Sequence, residues 1–324
     1  MKINDCVYGE FEITENILIE LINCKTLQRL KNISQMGMPD EYYHKKGFSR
    51  FEHSVGVMLL LKKLGASLDE QIAGLLHDVS HTAFSHVIDW VLGDPTKEDY
   101  QDNSFLDFIE KSEIPKILEK YGFDYRSLCE LERFSLLENA APNICADRVD
   151  YLLREIVRFE EPKIFRFILD SLTSYKGTIV FNSIDAAEIF ASNYARCQKE
   201  HWAGEEARTR YYLLAQILKQ ALGIKLINIS DFWKTDYEVI DILQNSNDSK
   251  ILDGLSLLKN GFKIIKSKSN NSIILHKKFR CVNPYVLNNN SIILLSNLSK
   301  NYKESLEKQK RESLEPLCVE VVTR

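Results

Sequence analysis

His77-Asp78-Val79-Ser80-His81-Thr82-Ala83-Phe84-Ser85-His86 is the most informative stretch of this chain. With His53 upstream, it places four of the seven histidines between positions 53 and 86. The preceding segment, through Ala73, Leu75 and Leu76, reads as a helix that Asp69 opens as its N-cap. If that helix continues, His77 and Asp78 lie about 100° apart and meet one ion over the edge between them. His81 falls one turn beyond His77 on the same face. His86 joins the cluster only if the helix breaks between 81 and 86. His53 begins an earlier apolar helix, which an antiparallel pairing sets opposite His77. Imidazole nitrogen and carboxylate oxygen together suit a divalent metal, and by ligand type Fe, Mn, Co, Zn and Mg all qualify. Four unrelated core or surface histidines are the alternative, and their clustering argues against it.

Outward from this stretch, positions 1–220 read as mainly helical, in segments 15–36, 54–65, 103–121, 127–139, 143–158 and 162–174. Lys176–Phe181 reads as one arm of a hairpin, and a long helix over 184–222 stops at Gly223. Two shorter helices fit 230–245 and 248–259. After Gly261 the residues alternate, in Phe262–Lys266 and again from Ser272 to His276 around an Asn270-Asn271 turn, before a charged helix at 298–315. The reading is a mainly α chain with a helical domain over 1–225 and a smaller α+β subdomain over 226–324.

Composition excludes several classes. At 324 residues, 44% hydrophobic and 27% charged, the chain is neither disordered nor fibrous. Its apolar runs, such as Val57–Leu61, stop far short of the roughly 20 residues a membrane span needs. The start carries acids and no apolar core of a signal peptide. Seven cysteines, odd in number and without a CxxC, fit a reduced cytoplasmic protein. Positions 1–160 carry ten more acids than bases, and positions 161–324 carry six more bases than acids. A basic second half can serve phosphates or nucleic acid, although scattered solvated lysines explain it equally simply, and no nucleic-acid motif is present.

Three motifs together resemble the HD-domain phosphohydrolases: Arg50-Phe51-Glu52-His53-Ser54-Val55-Gly56, the His77–His86 stretch, and Ala146-Asp147-Arg148-Val149-Asp150-Tyr151-Leu152. The branch they are most similar to holds the SAM-and-HD-domain dNTP triphosphohydrolase and the bacterial dNTP and dGTP triphosphohydrolases. Leu27–Leu30, Ser34–Gly37 and Lys278–Pro284 carry the likeness over positions 1–290. The resemblance implies an HD helical bundle with His53, His77, Asp78 and Asp147 as metal ligands. It implies that His81 and His86 lie near the phosphates, that Arg50, Arg148 and Tyr151 face phosphate or sugar, and that Gln35 faces the sugar, beside a Met36 that replaces a leucine. A family His-Glu pair falls near Gln101-Asp102, where Asp102 keeps the carboxylate and Gln101 replaces the histidine, with Asp99 as the competing acid. In Lys199-Glu200-His201-Trp202 the family histidine is matched by His201, while its tyrosine is missing. Implied with these are a nucleotide substrate, most directly a dNTP cleaved to deoxynucleoside and tripolyphosphate, and a homo-oligomer. The alternatives are a nucleoside monophosphatase or cyclic-nucleotide phosphodiesterase of the same superfamily, and a non-catalytic nucleotide sensor or nucleic-acid binder.

Overall fold

The computed structural model describes every residue except 160, 161, 268, 270, 271, 276, 277, 314–316 and 324. Asn270, Asn271, His276 and the end of the helix expected over 298–315 therefore lie outside the described residues.

The helix that carries His53 starts earlier than apolar spacing indicates, at Arg50–Lys63. Ser49 starts it with a reciprocal cap. Its hydroxyl accepts from the Glu52 amide, and the Glu52 carboxylate accepts from the Ser49 amide at 2.8 Å. The next helix, Leu68–Leu76, is capped by Ser67 rather than Asp69. Its Glu70 is occupied elsewhere, accepting from the amides of Leu136 and Leu137 at 2.7 and 3.1 Å.

Two glycines let the site helices close on one another. A Cβ at Gly74 would stand 2.3 Å from Leu61. One at Gly56 would stand 1.9 Å from the Arg154 guanidinium and 2.2 Å from the Asp150 carboxylate, on the facing helix Ala146–Phe159. Arg154 cannot swing away, because Asp150 and Asp5 both hold it at 2.8 Å in the interior. Gly56→Ala is therefore expected to destabilise the protein by about 3 kcal/mol or more, read as a lowered midpoint in denaturant unfolding. An unchanged midpoint would refute this packing argument.

Several expected helices are shorter. The 15–36 segment is Asn16–Asn23, Lys25–Arg29 and a 3₁₀ turn at Leu30–Asn32, broken at Cys24 by an extended backbone. The 103–121 segment divides into Tyr100–Glu110 and Ile114–Lys120, and 127–139 keeps only Tyr125–Cys129 and a 3₁₀ turn. The long 184–222 helix is interrupted. Ile184–Cys197 widens into a π turn at Gln198–Trp202, and a new helix, Glu205–Gly223, starts after Gly204. Single π turns of this kind recur at functional sites.

The hairpin expected around position 176 is present, with Leu172–Tyr175 antiparallel to Thr178–Phe181. Tyr285–Asn288 adds to it in parallel and Ser291–Leu294 completes the sheet. A second sheet has Leu317–Thr323 between Phe262–Lys266 and Ile273–Leu275. The chain thus recrosses position 225, and the region beyond it packs on both halves of the core. One apolar cluster joins Leu18, Leu59, Leu75, Val149 and Phe190 to Val286 and Leu306. The other joins Met36, Phe84 and Leu214 to Phe232, Ile251 and Leu275. Among the described residues no helix is long and apolar enough to cross a membrane.

Candidate active site

The two clusters meet around a cavity of about 370 Å³. His53 is wholly buried against its wall. Its Nδ1 meets Asp150 at 2.7 Å, and its Nε2 meets an Asp147 oxygen at 3.0 Å and lies 3.6 Å from an Asp78 oxygen. His77 is set up in the same way. Its Nδ1 donates to the Gly74 carbonyl at 2.7 Å, and Nε2 lies 3.6 Å from Asp78 and 3.7 Å from Asp147. That buried Nε2 has no hydrogen-bond partner. Two ring nitrogens and two carboxylates thus converge on one point. Ligand atoms of His53, His77 and Asp147 all lie within 4.8 Å of one another. Such a donor set fits a divalent cation, and the Asp150 and Gly74 contacts orient the rings as partners behind metal ligands do.

Without a cation, protons balance these charges. Burial works against a charged His53, but its bonds to Asp147 and Asp150 win and raise it to about 9. His77 is raised too, burial being overcome by the Asp78 charge and the Asp147 contact. Asp147 falls well below the usual carboxylate range despite its burial, under the two imidazoles. Metal must displace these protons. Its apparent affinity is therefore expected to climb with pH, by about tenfold per unit for each proton displaced, and to level off above about pH 9. Metal titrations at several pH values check this, and a flat profile would count against the two histidines as ligands.

A second group, Glu138, Cys145 and Asp147, also brings ligand atoms close together. There Arg148 already supplies the positive charge, meeting Glu138 at 3.4 Å and Cys145 at 3.2 Å.

The helix does not run through His77. It ends at Leu76, and positions 77–86 form turns in which Phe84 and Ser85 adopt positive φ. His86 thereby folds back on His81, their rings 5.1 Å apart. The break that His86 requires is present, and it comes before His81 as well as after it. His81 Nε2 is 3.3 Å from Asp78. Burial and the neighbouring Arg50 hold His81 well below the usual histidine range, so it is a neutral ring. His86 is one quarter exposed to the cavity, with its Nδ1 3.3 Å from Asp89.

Arg50 is buried and committed to Asp78 at 2.5 Å and to the Ser85 hydroxyl at 2.8 Å. Arg148 donates to the carbonyls of Asn139 and Asn143 at 2.5 and 3.2 Å. Gln35, Met36, Asp102 and Tyr151 line the cavity, Tyr151 hydrogen-bonded to Tyr194. Burial in the cavity wall raises the Asp102 carboxyl, against His86 and Lys278. Gln101 also lines the cavity, its amide donating to the His77 carbonyl and the Ser80 hydroxyl, both at 2.9 Å. His201 is not brought to the lining. It is 1% exposed and sits against Glu155 at 3.0 Å, while the neighbouring Trp202 reaches the cavity and donates to the same carboxylate at 3.1 Å.

Of the far wall, sequence reasoning noted Arg280 only as part of the Lys278–Pro284 likeness and missed the rest. Glu98, buried and at φ +52°, holds Arg208 at 2.7 Å and Arg280. All three line the cavity with Tyr211. Arg208 and Arg280 lie 110 and 182 residues from Glu98, so no local pattern links them.

A family profile for the HD domain matches residues 50–155, the span holding the four converging side chains. A metal-dependent phosphohydrolase, cns2 of Cordyceps militaris, is 31% identical over 72% of this chain and 69% of its own length. The chain belongs to the HD-domain phosphohydrolases. It is a metal-dependent hydrolase. An uncharacterized Bacillus subtilis protein, YdhJ, is 39% identical over 94% of both chains. A deoxynucleoside triphosphate triphosphohydrolase SAMHD1 homolog of Dictyostelium discoideum is 23% identical over 80% of this phosphohydrolase and 57% of its own length. The solved structure of a Bacteroides thetaiotaomicron phosphohydrolase superposes with a TM-score of 0.71 at 17% identity, covering both chains in full, and so shares the fold.

Proposed function

We propose that this phosphohydrolase acts on a nucleotide, most directly a deoxynucleoside triphosphate, releasing deoxynucleoside and tripolyphosphate. The observation that carries the reading is a cavity whose lining combines two kinds of group. His77, Asp78, Asp147 and the His81–His86 pair line it. So do the aromatic side chains of Tyr43, Tyr151, Tyr194, Trp202 and Tyr211, with Gln35 and Met36. Phosphate chemistry suits the first group and a sugar and base suit the second. The Dictyostelium relative's name supports the same substrate class.

When bound by His53, His77, Asp78 and Asp147, a divalent ion supplies Lewis acidity to the phosphate being cleaved. The chain's own residues do the remainder. Asp89 fixes the Nδ1 end of His86, leaving the other nitrogen to donate to the leaving oxygen. Arg50 holds the Asp78 carboxylate in place. Asp102, raised by burial, is a second group able to carry a proton in this cavity.

A monophosphate or cyclic-nucleotide substrate is the second reading, and one observation favours it. Among the described lining residues, five lysine and arginine side chains face six carboxylates, and Arg148, Arg208 and Arg280 are each paired with an acid. Such a wall offers a triphosphate fewer uncommitted cations. The proposal also carries a cytoplasmic setting, in keeping with seven cysteines that form no disulfide, and a homo-oligomer, which the family resemblance implies. The test is incubation of metal-loaded protein with dNTPs, NTPs, monophosphates and cyclic nucleotides, with products identified by mass. Tripolyphosphate from a dNTP is the expected result. Inorganic phosphate from a monophosphate, with dNTPs untouched, overturns it.

A further inference from the structure

Phe84 and Ser85 stand at φ +64° and +48° within the turn that carries His81 and His86. For a side chain as bulky as phenylalanine this backbone region is sparsely populated, and it persists only where surrounding contacts impose it. Those contacts come from outside the HD helices.

Asp236 opens the helix Asp236–Gln244 and is 1% exposed. One carboxylate oxygen accepts from the Phe84 amide at 2.7 Å, and the other accepts from the Ser34 amide at 2.8 Å. Among the described residues it has no ion-pair partner within salt-bridge distance. An interior carboxylate bonded to two backbone amides, with the charges of Arg50 and Arg29 near but not paired with it, ties both segments to one point. Ser34 precedes Gln35 on the cavity wall, and Phe84 stands two positions before His86.

Arg29 makes the opposite kind of contact. Its guanidinium donates to the carbonyls of Val79 and His81 at 3.0 and 2.7 Å, and to those of Trp233 and Lys234 at 3.5 and 3.4 Å. Phe108 packs under it at 5.2 Å and stacks on Trp233. The Ala83 amide donates to the Phe232 carbonyl at 2.8 Å, so the same segment is joined a third time.

We propose that Asp236 and Arg29 are positioning residues that bind the His81–His86 turn to the Gln35 loop and to residues 232–236, so that a segment beyond position 225 sets the geometry of hydrolysis. The inference rests on the reading of His81 and His86 as groups that act on substrate. Neither Asp236 nor Arg29 touches the ligand set, and misplacing a catalytic group by about 1 Å costs on the order of 10²-fold in rate.

The test uses Asp236→Asn and Arg29→Lys. The asparagine turns an N–H towards one of the two amides, and the lysine keeps charge but loses the fork across carbonyls. Each variant is expected to retain its metal and to lose about 10- to 100-fold in kcat on the substrate that the panel selects. Amide exchange is expected to quicken within 79–86 and at Ser34, and to stay slow in Arg50–Lys63 and Ala146–Phe159. Exchange is read without any substrate, so an error in the nucleotide assignment does not disturb it. Unchanged exchange in 79–86, or exchange that quickens uniformly over the chain, overturns the proposal. So does failure of both variants to fold, which would make the pair a plain stability element.

Discussion

Asp78→Ala is expected to abolish both bound metal and hydrolysis, and to lower stability as well. The carboxylate faces His53, His77 and His81 while pairing with a buried Arg50. Its removal takes away one of four ligands and leaves a guanidinium in the interior without a counter-charge. Breaking a buried pair in this way typically costs about 3–5 kcal/mol. Asp78→Asn separates the two effects, since the amide oxygen still accepts from Arg50 but the ligand charge is gone. Elemental analysis, an activity assay and thermal unfolding on both variants check the argument. Full metal content in the alanine variant would refute the ligand assignment.

His86→Ala is expected to keep the metal and lose about 10²- to 10⁴-fold in turnover, the range typical of a general acid or base. His81→Ala is expected to lose activity by a different route. His81 is buried, neutral and close to Asp78, so its loss disturbs the ligand as well as any proton transfer. His86 is the more accessible ring, and Asp89 steadies its Nδ1 end. A fall of less than about tenfold in both variants would move the proton to Asp102, whose carboxyl is raised by burial.

His53, His77 and Asp78 stood out because four histidines and an adjacent acid crowd positions 53–86, whereas Asp147 was legible only through the likeness of Ala146–Leu152 to the family motif, since it lies far along the chain on a third helix. The shape of the 77–86 segment was not legible. Ser80 and Ala83 stand where a glycine or proline would have marked a break, and periodicity alone carries the helix onward. The bonds that hold the following turn come from Arg29, Phe232 and Asp236, distant in sequence and invisible to a local reading. Asp150 and Arg154 have the spacing of a helical ion pair. Only the absent side chain at Gly56 reveals that this pair is sealed inside, behind His53. His201 shows the limit of a motif match. Its helix widens into a π turn just there, which directs the histidine to Glu155 and the adjacent Trp202 to the cavity.

The three-stranded sheet has Leu317–Thr323 in the middle, although it comes last of the three in sequence. Phe262–Lys266 and Ile273–Leu275 pair only with it, and neither pairs with the other. Both strands therefore keep open edges until positions 317–323 are available to pair with them. The four side chains that converge at the cavity, His53, His77, Asp78 and Asp147, all precede them by far. Loss of 317–323 is thus expected to spare that cluster while leaving two unpaired strand edges on the Phe232–Leu275 side of the core, which favours aggregation.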